Sequence, residues 1–276
     1  MNVHRNHRAL LLGAATILAS SLSAPQAATA QTSGVWQTSA SLYLYLPSVT
    51  GKTSYPADTG GTPINISTDQ ILDNLEMTFM GSVDVHNGRW GVFTDVIYLN
   101  FGNSKKQNSD FTIGNIGLPA GTTADLELDF EGWAWTLAGE YRLASDAGLT
   151  VDLIGGVRLL DVQQRLNWSI TGSLGPLPPT SRTGTTDVSQ TLWDGIVGVK
   201  GRYTFGAQRE WSLPFYADVG TGDSDLTWQA AAGVGYAFKW GDLTALWRYI
   251  DYEMKPGSMM QKVRFSGPMV GATFRW

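Results

Sequence analysis

One run constrains this chain more than any other: residues 226–240, LTWQAAAGVGYAFKW, alternate between two kinds of side chain. Leu226, Trp228, Ala230, Ala232, Val234, Tyr236, Phe238 and Trp240 fall on one face; Thr227, Gln229, Ala231, Gly233, Gly235, Ala237 and Lys239 fall on the other. A period of two marks a β-strand with one apolar face. Soluble sandwiches alternate as well, so the order of residues along the apolar face decides between the two surroundings. Aromatics collect near its ends and small aliphatics fill its middle. A bilayer imposes that order, because tyrosine and tryptophan favour the headgroup level and aliphatics the hydrocarbon.

The pattern recurs at 34–47, 76–86, 89–102, 123–142, 148–168, 187–205, 211–221, 242–253 and 261–276, and turn residues separate the segments. Asn87-Gly88 suits a two-residue type I′ hairpin between the second and third of them. The expected fold is all-β: a transmembrane, antiparallel, up-and-down β-barrel of about ten strands, with eight or twelve fitting less well. No segment after residue 30 approaches a transmembrane helix in length and apolarity.

Connections at 87–89, 144–148, 206–210 and 240–242 are tight, whereas 48–74, 104–122, 169–186 and 254–260 are longer and rich in Gly, Pro, Ser and Thr. Only 222–225 is short on the long-loop side. Short periplasmic turns and long external loops are the layout of an outer-membrane barrel, which puts both ends of the barrel domain on the periplasmic side. Within the first long connection, Ser67 or Thr68 can cap one or two helical turns over 67–76. That segment either folds into the barrel mouth or lies on the surface as a short helix.

At the other extreme of the chain, Arg5 and Arg8 precede an apolar run, and Ala28 and Ala30 offer a small-residue cleavage spacing. Residues 1–30 therefore read as a cleaved signal peptide and 31–276 as the barrel domain. Cleavage leaves 17 basic against 24 acidic residues, a net charge of −7 with no basic footprint for nucleic acid. With no cysteine, disulfides, thiolate metal sites and cysteine nucleophiles are excluded. Charged residues make up only 16% of the chain against 11% aromatics, short of charge for a soluble secreted domain.

The segments GRWGVFTDVIYLNF, WDGIVGVKGRY, WSLPFYADVG, LTWQAAAGVGYAF and WRYIDYEM resemble those of small outer-membrane β-barrel proteins of Gram-negative bacteria. The likeness covers nearly all of 31–276. It implies residence in the outer membrane, contact with its lipid, and assembly by that family's barrel-assembly machinery. Val270, Ala272, Phe274 and Trp276 lie on one outward face of the last segment, with Thr273 and Arg275 turned inward. This ending is similar to the aromatic-terminated strand that the machinery recognises, which makes those four residues the expected assembly signal.

The chemistry inside such a barrel would be electrostatic. Asp125, Glu127, Asp129 and Glu131 alternate and so share a face, which is expected to be the inward one. Carboxylates roughly 7 Å apart repel in a low-dielectric space and need neutralising or hydrating. Arg158, Lys200, Arg202 and Arg248 are the expected inward cations, and Asp95, Asp152, Asp194 and Asp218 further inward acids. Three readings follow: a charge-paired network filling the lumen, a hydrated channel passing small ions or solutes with a cation preference, or a calcium site near the rim, although no calcium-loop spacing is present.

Catalysis is not expected. Barrel hydrolases of the resembled kind place a histidine near the outer rim, yet His4 and His7 leave with the signal peptide. His86 sits by the Asn87-Gly88 turn, where it reads as a solvated side chain. Asp223, Asp225 and Asp251 are candidates to gather at the rim. No metal-ligand cluster, phosphate loop or cofactor motif is present, so no cofactor is expected. The functional expectation is a structural barrel or a narrow passive channel; adhesion or binding through loops 48–74, 104–122 and 169–186 and a rim enzyme are the alternatives.

Overall fold

The alternating segments pair in sequence order, each antiparallel to the next, and the last returns to the first. The structure, a computed structural model, describes residues 34–53, 63–73, 75–103, 112–113, 116–117, 122–172, 180–258 and 260–276; the expected signal peptide lies outside them. In chain order the elements are β1 Gln37–Tyr45, β2 Ser48–Thr53, β3 Pro63–Ile66, α1 Thr68–Asp73, β4 Leu75–His86, β5 Trp90–Asn103, β6 Thr112–Ile113, β7 Ile116–Gly117, β8 Thr122–Ser145, β9 Leu149–Gly172, β10 Thr180–Phe205, β11 Trp211–Gly222, β12 Ser224–Ala237, β13 Asp242–Met254 and β14 Met260–Arg275.

β1 closes on β14 from Ser39↔Arg275 to Tyr45↔Met269, and Thr38 and Trp276 exchange both backbone hydrogen bonds at 3.0 Å. Closure leaves the wall no free edge along this seam, which is what lets a sheet cross lipid. The wall has ten strands, because β1 and β2 are two halves of one. Pro47 interrupts them since it has no N–H for the ladder, while Leu46 N still reaches Pro268 O at 3.0 Å. β1 pairs with β4 only up to Leu42↔Gly81. Beyond the break, β2 pairs with β3 on the side that β4 has left, and α1 follows β3.

α1 answers the question left open for 67–76. Ile71 is 3% exposed and belongs to the buried cluster formed by inward residues of the wall, among them Tyr45, Met80, Leu99 and Tyr252. The helix is therefore turned into the mouth. Its register is held by Ile71 N donating to Ser67 O at 3.2 Å, and Thr68 Oγ1 reaches Leu46 O at 3.4 Å.

Two local expectations are corrected. The Asn87-Gly88 connection is not type I′, which needs positive φ at both central residues; Gly88 has φ 91° but Asn87 is not positive. Asn87 Oδ1 instead accepts from Arg89 N at 3.1 Å and Trp90 N at 2.8 Å, so the side chain caps the turn. The 169–186 connection is shorter than expected, because 169–172 and 180–186 are strand. β8, β9 and β10 run 24, 24 and 26 residues against 12 to 16 for β11 to β14. β10 leaves β11 at Asp194↔Gly222 but follows β9 to Thr180↔Gly172, so three strands project on the long-connection side.

The exterior is apolar. Leu42, Val83, Val92, Val157, Val197, Val219, Val234 and Val270 are among many exposed aliphatics, far more than the surface of a soluble monomer carries. At the short-turn end, Tyr203, Phe205, Trp211, Tyr236, Phe238, Trp240 and Phe274 form a continuous belt with successive ring centroids 4.9–6.5 Å apart. At the other end stand Tyr98 with Trp133, Trp135 with Trp193 and Trp228 with Tyr249. Eight to ten residues of tilted strand separate Trp228 from the lower belt, roughly 20–25 Å of height, which matches the apolar band of an outer-membrane barrel. The chain is a membrane-spanning barrel of the bacterial outer membrane.

Candidate functional site

Inward positions alternate with that lipid face, so the wall delivers its polar side chains to the lumen. They form tiers. Nearest the short turns, Lys200 on β10 bridges Asp84 on β4 and Glu140 on β8. Arg142 holds Asp152, and Asp242 is shared by Arg202 at 3.1 Å and by Arg275, whose Nη1 donates at 2.9 Å. One tier up, Arg248 Nη2 donates to Asp95 Oδ1 at 2.7 Å and to Gln229 Oε1 at 3.0 Å, while the Tyr43 hydroxyl donates to Asp95 Oδ2 at 2.7 Å. Arg158 forks onto Asp218, with Nη1 to Oδ1 at 3.0 Å, and its Nε reaches Thr136 Oγ1 at 3.3 Å.

Two of these contacts, Lys200 with Asp84 and Arg248 with Asp95, span the lumen. In ring order β4 and β10 are four steps apart, as are β5 and β13, and four steps in a ring of ten is nearly the full diameter. Arg158, Arg248, Asp95 and Asp218 are all at most 7% exposed. Gly198 makes room for the Arg158 pair: a Cβ there would meet Ala217 O at 2.2 Å and Asp218 Cβ at 2.7 Å.

The four expected cations Arg158, Lys200, Arg202 and Arg248 therefore lie in the lumen, with Asp95, Asp152 and Asp218 as partners and Asp194 buried beside Ser224 N at 2.9 Å. One residue of the acidic row of β8, Glu131, is corrected. Glu131 is exposed on the outer face and accepts from the Tyr98 hydroxyl at 3.1 Å; the side chains of Asp125, Glu127 and Asp129 lie outside the described residues. The inward parity of β8 is Gly132, Ala134, Thr136, Ala138, Glu140 and Arg142, as its register with Asp95, Ile97 and Leu99 requires. Glu131 sits beyond Trp133 and Trp135, where the outer face no longer meets hydrocarbon and a carboxylate there avoids the cost of entering lipid.

His86 is a second correction: it is 6% exposed and inside, not solvated. Its strand partner is Gly91, where a Cβ would meet His86 Cδ2 at 2.6 Å, so the absent side chain houses the imidazole. His86, Glu140 and Asp152 bring ligand-type atoms within 4.8 Å of one another. The trio does not suit a divalent metal. Gly88 N donates to His86 Nδ1 at 2.8 Å, so a neutral ring carries its proton on Nε2, which faces Asp152 Oδ1 at 3.5 Å and has no lone pair to give. Lys200 and Arg142 already engage the two carboxylates.

The candidate rim acids do not converge on a reactive pair. Asp223 Oδ2 accepts from Trp193 N at 2.9 Å, Asp225 is exposed, and Asp251 is bound by Arg264 at 2.9 Å and Lys262 at 3.2 Å. Val270, Phe274 and Trp276 are exposed on the outer face as the alternation requires, with Ala272 half-buried.

Above the tiers the lumen turns apolar. Tyr45, Pro47, Ile97, Leu99, Gly132, Trp133, Ala134, Leu160, Val162, Ile250, Tyr252 and Phe265 line a small, partly open cavity of about 40 Å³. The charge pairing across the ring was not readable from local sequence, and neither was this chamber. Asp84, Glu140, Arg142 and Asp242 are further lumen residues, and the alternation Met80, Ser82, Asp84, His86 carries the sequence signal for the first of them.

No family model matches the chain, and no curated protein matches it. Among solved structures it is similar to the outer membrane protease OmpT from Escherichia coli, at 10% identity over 90% of this chain and 98% of that one, with a TM-score of 0.47. It is similar also to Ail, the attachment invasion locus protein of Yersinia pestis, at 11% identity over 88% and 99%, TM-score 0.36. Neisserial surface protein A is a third, at 14% identity over 87% and 97%, TM-score 0.31. Likeness at this level says nothing of activity, and the barrel stands on its own register and exterior.

Proposed function

We propose that this chain is a closed, non-catalytic outer-membrane barrel whose inward charges seal the lumen instead of lining an ion path. The observation that carries the reading is the pair of bridges across the ring, Arg248 to Asp95 and Lys200 to Asp84 with Glu140. A ring of acids selects and passes cations when its carboxylates face water. Here Asp84 and Asp95 are each held by a cation from across the ring and Glu140 by the same Lys200 from two strands away, and a barrel this narrow fills with side chains. The absence of catalysis is supported by His86, whose ring is committed to Gly88 at the short-turn end, far from the long connections.

The test is ion flux. The barrel is inserted into vesicles, insertion is verified by flotation and heat-dependent gel mobility, and inserted samples are moved to planar bilayers under a salt gradient. The inserted barrel should be electrically silent. Reproducible conductance steps with cation preference would overturn the sealed reading in favour of a channel.

A further inference from the structure

We infer that Asp194, Ser224 and Thr227 form a buried oxygen site for one monovalent metal cation, sodium or potassium. The charges of the lumen leave one acid over. Asp84 and Glu140 are held by Lys200, Asp95 by Arg248, Asp152 by Arg142, Asp218 by Arg158, and Asp242 by Arg202 and Arg275. Asp194 is 1% exposed and has no ion-pair partner among the described residues. Arg158 faces it across the ladder of β9 and β10 but spends its guanidinium on Asp218 and Thr136. Of the Asp194 oxygens, Oδ1 accepts from Ser224 N at 2.9 Å and Oδ2 has no hydrogen-bond partner. A buried carboxylate left unpaired is costly, so a counter-charge belongs beside it.

The register opens the space. β11 stands between the strand of Asp194 and that of the two hydroxyls, and at these rows it carries only glycine: Gly222 pairs with Asp194, and Gly220 pairs with Ile196 on one side and Thr227 on the other. A Cβ at Gly222 would meet Asp194 Oδ1 at 3.1 Å, so the missing side chain lets the carboxylate lean toward β12. Ser224 and Thr227 are each 0% exposed and lie opposite the inward Met254 and Tyr252, and neither hydroxyl oxygen has a hydrogen-bond partner. Buried hydroxyls are ordinarily paired. Three orphan oxygens from two strands, one of them anionic, are a hard donor set of the kind that holds hard cations, and they offer a soft metal neither imidazole nor sulfur. The charge count then selects the occupant. One carboxylate balances one positive charge, whereas a divalent ion would add a second beside Arg158. The inference is independent of whether the lumen conducts, because its test reads stability and not flux.

The experiment folds the barrel into zwitterionic vesicles in sodium, potassium or choline chloride at one ionic strength and compares urea midpoints. A cation bound by the folded state alone raises the midpoint as its concentration rises. Wild type should therefore be more stable in sodium or potassium than in choline, with an increase that follows a one-site curve. Asp194→Asn, which keeps the shape and removes the charge, should give the same midpoint in all three salts. Thr227→Val should weaken the apparent affinity for the metal ion by about 2- to 10-fold, and Ser224→Ala is a second hydroxyl variant should the first fail to fold. Equal wild-type midpoints in the three salts, the result if a proton neutralises Asp194 instead, would overturn the site. So would a cation dependence that persists in folded Asp194→Asn. Unchanged affinity in both hydroxyl variants would overturn the assigned set of oxygens.

Discussion

Replacing Arg158 with methionine isolates the energetics of the seal. Methionine keeps much of the stem's packing and removes the guanidinium. Asp218, whose side chain is fully buried, then loses the two-pronged partner it had, and Thr136 Oγ1 loses the Nε donor. Breaking a buried pair from one side costs about 3–5 kcal/mol, because the surviving charge is left in a low-dielectric space. With both groups at most 2% exposed by side chain, no allowance for solvent screening is needed. The folded-to-unfolded ratio should fall by about two to three and a half orders of magnitude. Equilibrium unfolding by urea in lipid vesicles reads this as a lower midpoint at unchanged slope. The double variant Arg158→Met with Asp218→Leu should recover most of the loss, since apolar replacement of both partners is about neutral or stabilising. A single variant within about 0.5 kcal/mol of wild type, or a double variant no better than the single, would refute the pairing argument.

Ala232 lies mid-height on the lipid face, paired with Phe215 and Trp247. Ala232→Arg should cost about 2–4 kcal/mol in the same assay, and an unchanged midpoint would mean that this face does not meet hydrocarbon. For the His86, Glu140 and Asp152 trio, the barrel should take up no stoichiometric zinc at neutral pH by calorimetry; tight one-to-one uptake lost in His86→Ala would show that the ring gives up its bond from Gly88.

Two residues show where reading by alternation works and where it stops. Lys200 was assignable to the lumen because its whole segment lies between the aromatic belts, where a charge on the outer face would meet lipid. Glu131 was not, because β8 is long enough to leave the bilayer. The rule that the apolar face points outward holds only over the stretch that lipid covers, so it gives no correct side for Glu131. His86 failed for a different reason. Its burial depends on Gly91, the residue across the hairpin, and on the ring closing over both.

What the chain determined by itself is the class of fold: a closed sheet with one face for lipid, about ten strands, tight turns at one end and long connections at the other. Alternation, girdle aromatics and turn chemistry act between residues close in sequence, so they can be read from it. Only the tertiary structure decided that the lumen charges are paired, that α1 turns inward and that an apolar chamber lies beneath it. Arg248 and Asp95 are 153 positions apart, and Lys200 and Asp84 116. Those distances vanish only when β1 meets β14, and no local pattern encodes which charge will then stand opposite which.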